Sequence, residues 1–127
     1  MSGSGQRILV VDDEPMLRLL LGDLLRDEGY TVVEAADGAE AIRHLNEHRP
    51  PPHRLGLVLL DMMMPRVNGL GVLKHLATLD SYVPVVAMSA NAGRLTEAQR
   101  AGAKETVAKP FDLDHLLAVV DHNCGRW

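Results

Sequence analysis

The chain has 127 residues, 46% of them apolar and only 3% aromatic, with a formal net charge of −4. That length fits one domain with its own hydrophobic core. The acidic balance argues against direct nucleic-acid contact, which would need a basic stripe. The single cysteine, Cys124, excludes an intrachain disulfide framework. No apolar run has the length of a membrane span. Together these set the expectation of a cytoplasmic chain with no membrane association.

In chain order, residues 1–6, opening Met1-Ser2-Gly3-Ser4-Gly5, read as a flexible tail or an engineered scar. Residues 7–122 read as one domain, and 123–127 as a C-terminal tail. Ile8-Leu9-Val10-Val11 is a short apolar run expected to be a buried strand. Pro15 to Glu28 is expected to be a helix. Pro15 suits its first position, Leu17, Leu20, Leu21 and Leu24 recur at helical spacing, and Gly29 stops it.

Thr31 to Ala35 predicts a second strand. Asp37 can cap a second helix running to about Glu47. His48 to Gly56, with Pro50, Pro51 and Pro52, is expected to be a stiff loop. Leu57 to Leu60 predicts the third strand. Asn68-Gly69 opens a third helix carrying Leu70, Leu73 and Leu76.

Val83 to Met88 predicts a fourth strand, Arg94 to Ala101 a short helix, and Glu105 to Ala108 a fifth strand. Asp112 to Asp121 predicts a final helix with Leu113, Leu116, Leu117 and Val120 on one face. Five βα units of this kind predict an α/β fold, a doubly wound parallel sheet with helices on both faces.

The chemistry-bearing residues follow the strands. The first strand runs into Asp12-Asp13-Glu14, the third into Asp61, the fourth into Ser89 and the fifth into Lys109. A parallel sheet collects such strand ends along one edge. Two like charges ~4 Å apart cost ~4 kcal/mol at an effective dielectric of ~20, and one lysine offsets only one of three carboxylates. A hard divalent cation, Mg²⁺, relieves the rest. A carboxylate can also act as a nucleophile and become an aspartyl phosphate.

These residues resemble the receiver domain of two-component response regulators. The likeness is carried by Ile8 to Glu14, Leu57 to Pro65, Val85 to Ala90, Ala101-Gly102-Ala103 and Val107 to Phe111. The resemblance implies the strand order 2-1-3-4-5. It implies a phosphoacceptor at Asp61 and a Mg²⁺ site of Asp12, Asp13, Asp61 and the backbone carbonyl of Met63. Ser89 and Lys109 would act on the phosphoryl group, with Ser89 also a switch residue, and the Lys109–Pro110 bond would be cis.

The implied partners are a histidine kinase or histidine phosphotransfer domain, docking near Leu17, Pro110 and Phe111, and an output protein or domain. A phosphorylation-dependent homodimer is left open. The chain would accept phosphate, with slow autodephosphorylation, rather than turn over an external metabolite.

Two departures stand out. Thr106 occupies the switch position where the family often has an aromatic ring, so no ring flip can report phosphorylation there. Asn68-Gly69 replaces the common Asp-Gly, with little expected change. Thr106 supports an alternative, a receiver with weak or atypical switching used mainly for protein interaction. A flavodoxin-like cofactor binder would need a glycine- and hydroxyl-rich loop where Asp12-Asp13-Glu14 stands. A small phosphatase would carry its acids in one loop, whereas here they come from two strands. His44 and His48, four apart on a helix, are expected to lie on a solvated face because no third ligand is evident. Met62, Met63 and Met64 are expected to fill core or loop, and Cys124 to be an inert thiol.

Overall fold

The structure, a computed structural model, describes residues 5–48, 54–64, 68–79 and 83–124. Pro50, Pro51, Pro52, Pro65 and Trp127 lie outside those residues. The chain alternates β1 (Arg7–Val11), α1 (Pro15–Asp27), β2 (Thr31–Ala35), α2 (Gly38–Glu47) and β3 (Leu57–Asp61). It continues with α3 (Gly69–Thr78), β4 (Val85–Ser89), α4 (Ala92–Arg100), β5 (Glu105–Ala108) and α5 (Leu113–Asn123). The sheet is parallel throughout, in the order β2-β1-β3-β4-β5.

The apolar runs explain the layering. Side chains alternate along each strand, so a strand buried on both faces must be apolar at consecutive positions. β3 and β4 are buried at every residue. Leu9, Val11, Val58, Leu60 and Ala87 face α2, α3 and α4, meeting Leu45, Leu73 and Ala98. Ile8, Val10, Leu57, Leu59 and Met88 face α1 and α5, meeting Leu21, Leu25 and Leu116. Met62 and Met64 join the first of these cores, as filling residues should, while Met63 is exposed.

Several boundaries move for identifiable reasons. Gly5 and Gln6 are tied to the start of β2, through Gly5 N–H to the Gly29 carbonyl and Thr31 N–H to the Gln6 carbonyl. Those two therefore do not belong to a free tail. β4 starts at Val85 because Pro84 has no N–H to donate; its carbonyl still accepts from Val58. α4 starts at Ala92 rather than Arg94, since the Asn91 side chain caps it by accepting from Arg94 N–H. α5 runs on to Asn123, whose side chain donates to Glu105 and to the Val119 carbonyl. The Gly29 stop is as expected, with φ of 95° in the left-handed region. The Lys109–Pro110 peptide is cis.

One glycine couples the fold to the strand edge. A Cβ on Gly69 would lie 2.6 Å from the Met62 Cα and 2.9 Å from the Asp61 carbonyl oxygen. Backbone cannot yield there without displacing the end of β3. Gly69→Ala is expected to lower stability by ~1–3 kcal/mol, read from the urea midpoint. A midpoint equal to the wild type would contradict this close approach.

Candidate functional site

The reversal of strand order lies between β1 and β3, which are neighbours in the sheet although β2 separates them in sequence. Asp12 follows β1 and Asp61 ends β3, so two acids meet at the crevice where the winding changes direction. Ser89 ends β4 and Lys109 follows β5. All four expected residues therefore share one sheet edge, and Asp13 joins them from the loop after Asp12.

The hydrogen bonds hold each group in a distinct attitude. Asp12 is fully buried. Its Oδ1 accepts from Glu14 N–H at 2.9 Å, and its Oδ2 accepts from Lys109 Nζ at 3.0 Å. Asp61 is 3% exposed. Its Oδ1 accepts from Met63 N–H at 3.0 Å, and its Oδ2 lies 3.7 Å from Lys109 Nζ. The lysine thus touches two carboxylates, though its single charge can offset only one. Asp13 is exposed, so it faces the solvent side of the cluster.

Ser89 is buried. Its Oγ accepts from Asn91 N–H at 3.0 Å, which leaves its hydroxyl proton to donate elsewhere. The Ser89 carbonyl accepts from Lys109 N–H, fixing the two strand ends together. Thr106 stands apart from this edge. On the edge strand β5, it pairs in register with Ala87 of β4 and alternates with Val107, which points into the α1 and α5 core. Thr106 therefore lies on the α4 side.

Arg18 was not identified from the sequence. From α1 it donates to the Asp12 carbonyl at 2.8 Å and pairs with Glu34 at 3.3 Å. Its place one helical turn beyond Glu14 was the available signal, but arginines on helix surfaces are too common for it to stand out. The amide of Met63 was likewise invisible, because a backbone donor carries no residue signature.

The donor set suits a hard cation. Asp12, Asp13 and Asp61 can each offer a carboxylate oxygen, all within 4.8 Å of one another. Two of the three acids are buried with one lysine between them. That excess negative charge and the all-oxygen set fit Mg²⁺.

Profile comparison matches residues 8–121 to the response regulator receiver domain. The chain is 35% identical over 117 residues to sporulation initiation phosphotransferase F of Bacillus subtilis, covering 91% of this chain and 90% of that protein. It is 35% identical over 118 residues to the chemotaxis protein CheY of the same organism, covering 91% and 94%. Among solved structures it superposes, at a TM-score of 0.82 and 29% identity, on the receiver domain of a sensor histidine kinase from Pseudomonas aeruginosa. That likeness covers 94% and 97% of the two chains, and that structure has a magnesium ion coordinated in its active-site cleft.

Burial pushes the Asp61 carboxyl up from 3.8 to about 6, and Asp12 and Asp13 add to the rise. The Met63 amide and Lys109 oppose it. Between these two values the folded chain holds a proton that the unfolded chain has lost. The stability this group confers is complete below the unfolded value and lost as pH rises through about 6. In a chelator, Asp61→Asn is expected to raise stability at pH 7 by ~1 kcal/mol or more and to flatten the slope between those two values. A urea midpoint at pH 7 no higher than the wild type would refute the burial argument.

Proposed function

Since this chain belongs to the response regulator receiver domain family, we propose that it accepts a phosphoryl group on Asp61 from a phosphohistidine donor. The observation that carries the reading is the pairing of buried Asp61 with Lys109 at the β1–β3 switch point. In the transfer, a carboxylate oxygen of Asp61 forms a bond to phosphorus. The donor's P–N bond breaks, and its electron pair leaves with the imidazole.

Met63 N–H holds Oδ1, so Oδ2 is the oxygen left to attack. Lys109 lies on that side and would pair with the phosphoryl oxygens as they gather charge. The free hydroxyl proton of Ser89 supplies a further donor, and Ala90, small and exposed, leaves an approach for donor or water. Asp12, Asp13, Asp61 and the Met63 carbonyl would hold Mg²⁺. When bound, the ion supplies charge neutralisation for the phosphoryl group. The chain is an acceptor, and its phosphate leaves by slow hydrolysis or by transfer to a partner.

A groove of about 530 Å³ supports docking of a kinase or phosphotransfer domain beside the site. It is lined by Leu17, Leu20, Lys109, Pro110 and Phe111, among others. Met16, Leu19 and Leu20 add exposed apolar surface on the same helix, of the kind that marks a protein contact. Thr106 favours a second reading for the output step alone. Without an aromatic ring on the α4 side, the signal would travel through Ser89 and Asn91 into the start of α4, or the domain would act mainly by binding. No helix among the described residues is long and apolar enough to cross a membrane, and a cytoplasmic site of action is consistent with such donors.

Acetyl phosphate with Mg²⁺ is expected to add one phosphoryl group to the wild type by intact mass. Asp61→Asn should show no adduct, and undiminished labelling of that variant would sink the assignment. Leu20→Glu should label normally with acetyl phosphate yet accept phosphate from a phosphohistidine protein at least ~10-fold more slowly, because a buried charge at a contact costs over a kilocalorie. Equal slowing with both donors would place Leu20 in the chemistry rather than in docking.

A further inference from the structure

We propose a second metal site, for a Zn²⁺-class cation, formed by His44 and Glu47 on the last turn of α2 and His48 at its C-cap. These residues can each offer one ligand atom, all within 4.8 Å of one another. Positions 44, 47 and 48 stand one helical turn apart and share a face. His48 N–H donates to the His44 carbonyl at 3.0 Å, which keeps that spacing through the helix cap. The two imidazole rings are stacked, with centroids 6.0 Å apart and planes at 27°.

The His44 side chain, 18% exposed, is the one that most favours a ligand here. Its Nδ1 is buried and makes no hydrogen bond among the described residues. Glu47 Oε2 stands 3.8 Å from it, beyond hydrogen-bond reach but on the right side to share a cation. A buried ring nitrogen of this kind is usually satisfied. Tetrahedral Zn²⁺ with bonds of ~2.0–2.1 Å needs its ligand atoms ~3.4 Å apart. The set must therefore close slightly, and Glu47, more than half exposed, has room to swing inward.

The chemistry separates this site from the acidic one. Two imidazoles and one carboxylate suit Zn²⁺ and its neighbours, whereas Mg²⁺ prefers oxygen alone. Carbonyls at the end of a helix also favour a cation. Place separates them too. α2 starts after β2 at the edge that carries Asp12 and Asp61 and returns to the opposite edge to enter β3. Three protein ligands leave a coordination position for solvent or for a group from another molecule.

Titration of the full chain with Co²⁺ in excess Mg²⁺, followed by visible absorption, tests the site, with Zn²⁺ added to displace the colour. The wild type and Asp61→Asn are expected to bind one Co²⁺ per chain with equal affinity and give the intense bands of a four-coordinate centre. His44→Ala, His48→Ala and Glu47→Gln should each weaken binding at least ~10-fold. Zn²⁺ should raise the Tm of the wild type and not that of His48→Ala. Unchanged Co²⁺ binding in His48→Ala and Glu47→Gln would overturn the proposal, as would loss of binding in Asp61→Asn. If His44→Ala fails to fold, the Glu47 and His48 variants decide the matter, since Glu47 is exposed.

Discussion

The repulsion between Asp12 and Asp61 is the constraint on which the rest of this molecule turns. Both carboxylates are buried at adjoining strand ends, and Lys109 reaches both without matching their combined charge. No isolated loop would hold two such groups together, because rotation would separate them at once. They stay because their backbones are fixed by the parallel ladder between β1 and β3, whose neighbouring residues are among the most buried in the chain.

The sheet therefore serves as the rigid body that stores this electrostatic tension. Its two cores clamp β3 and β4 from both faces, so the ends of those strands cannot drift. Local bonds then aim each side chain: Glu14 N–H on Asp12, Met63 N–H on Asp61 and Asn91 N–H on Ser89. Each comes from the amide two residues downstream. The same local turn is thus used three times, and it leaves one face of each side chain turned toward the crevice. An arriving cation or phosphoryl group meets donors and acceptors that are already oriented, which is how preorganised sites lower the cost of charge development.

Chemistry and readout are separable here. The pocket depends on strand ends, while in the proposed function transmission would depend on what lies between β4, β5 and α4. Thr106 sits in that second region, opposite Ala87 and away from the carboxylates. Under the proposed function, a threonine there would bear on the output surface and not on the chemistry at Asp61. Asn91 links the two regions, since its amide touches the Ser89 hydroxyl and its side chain caps α4.

Much of this was legible in the sequence. Consecutive apolar residues at 8–11, 57–60 and 85–88 have no solvent face, and their short length and β-branched content mark them as two-sided strands rather than helices. The acids, serine and lysine placed directly after them had to share an edge once the sheet was parallel. Helix limits were less legible where a cap or a missing N–H decides them, as at Asn91 and Pro84. What the sequence alone determined was which polar residues share one sheet edge, through strand ends at Asp12, Asp61, Ser89 and Lys109. Only the tertiary structure decided how those groups are aimed and charged. The reach of Lys109 to two acids, the support from Arg18, the raised Asp61 carboxyl and the gathering of His44, Glu47 and His48 all depend on burial and side-chain direction. A linear pattern does not carry either.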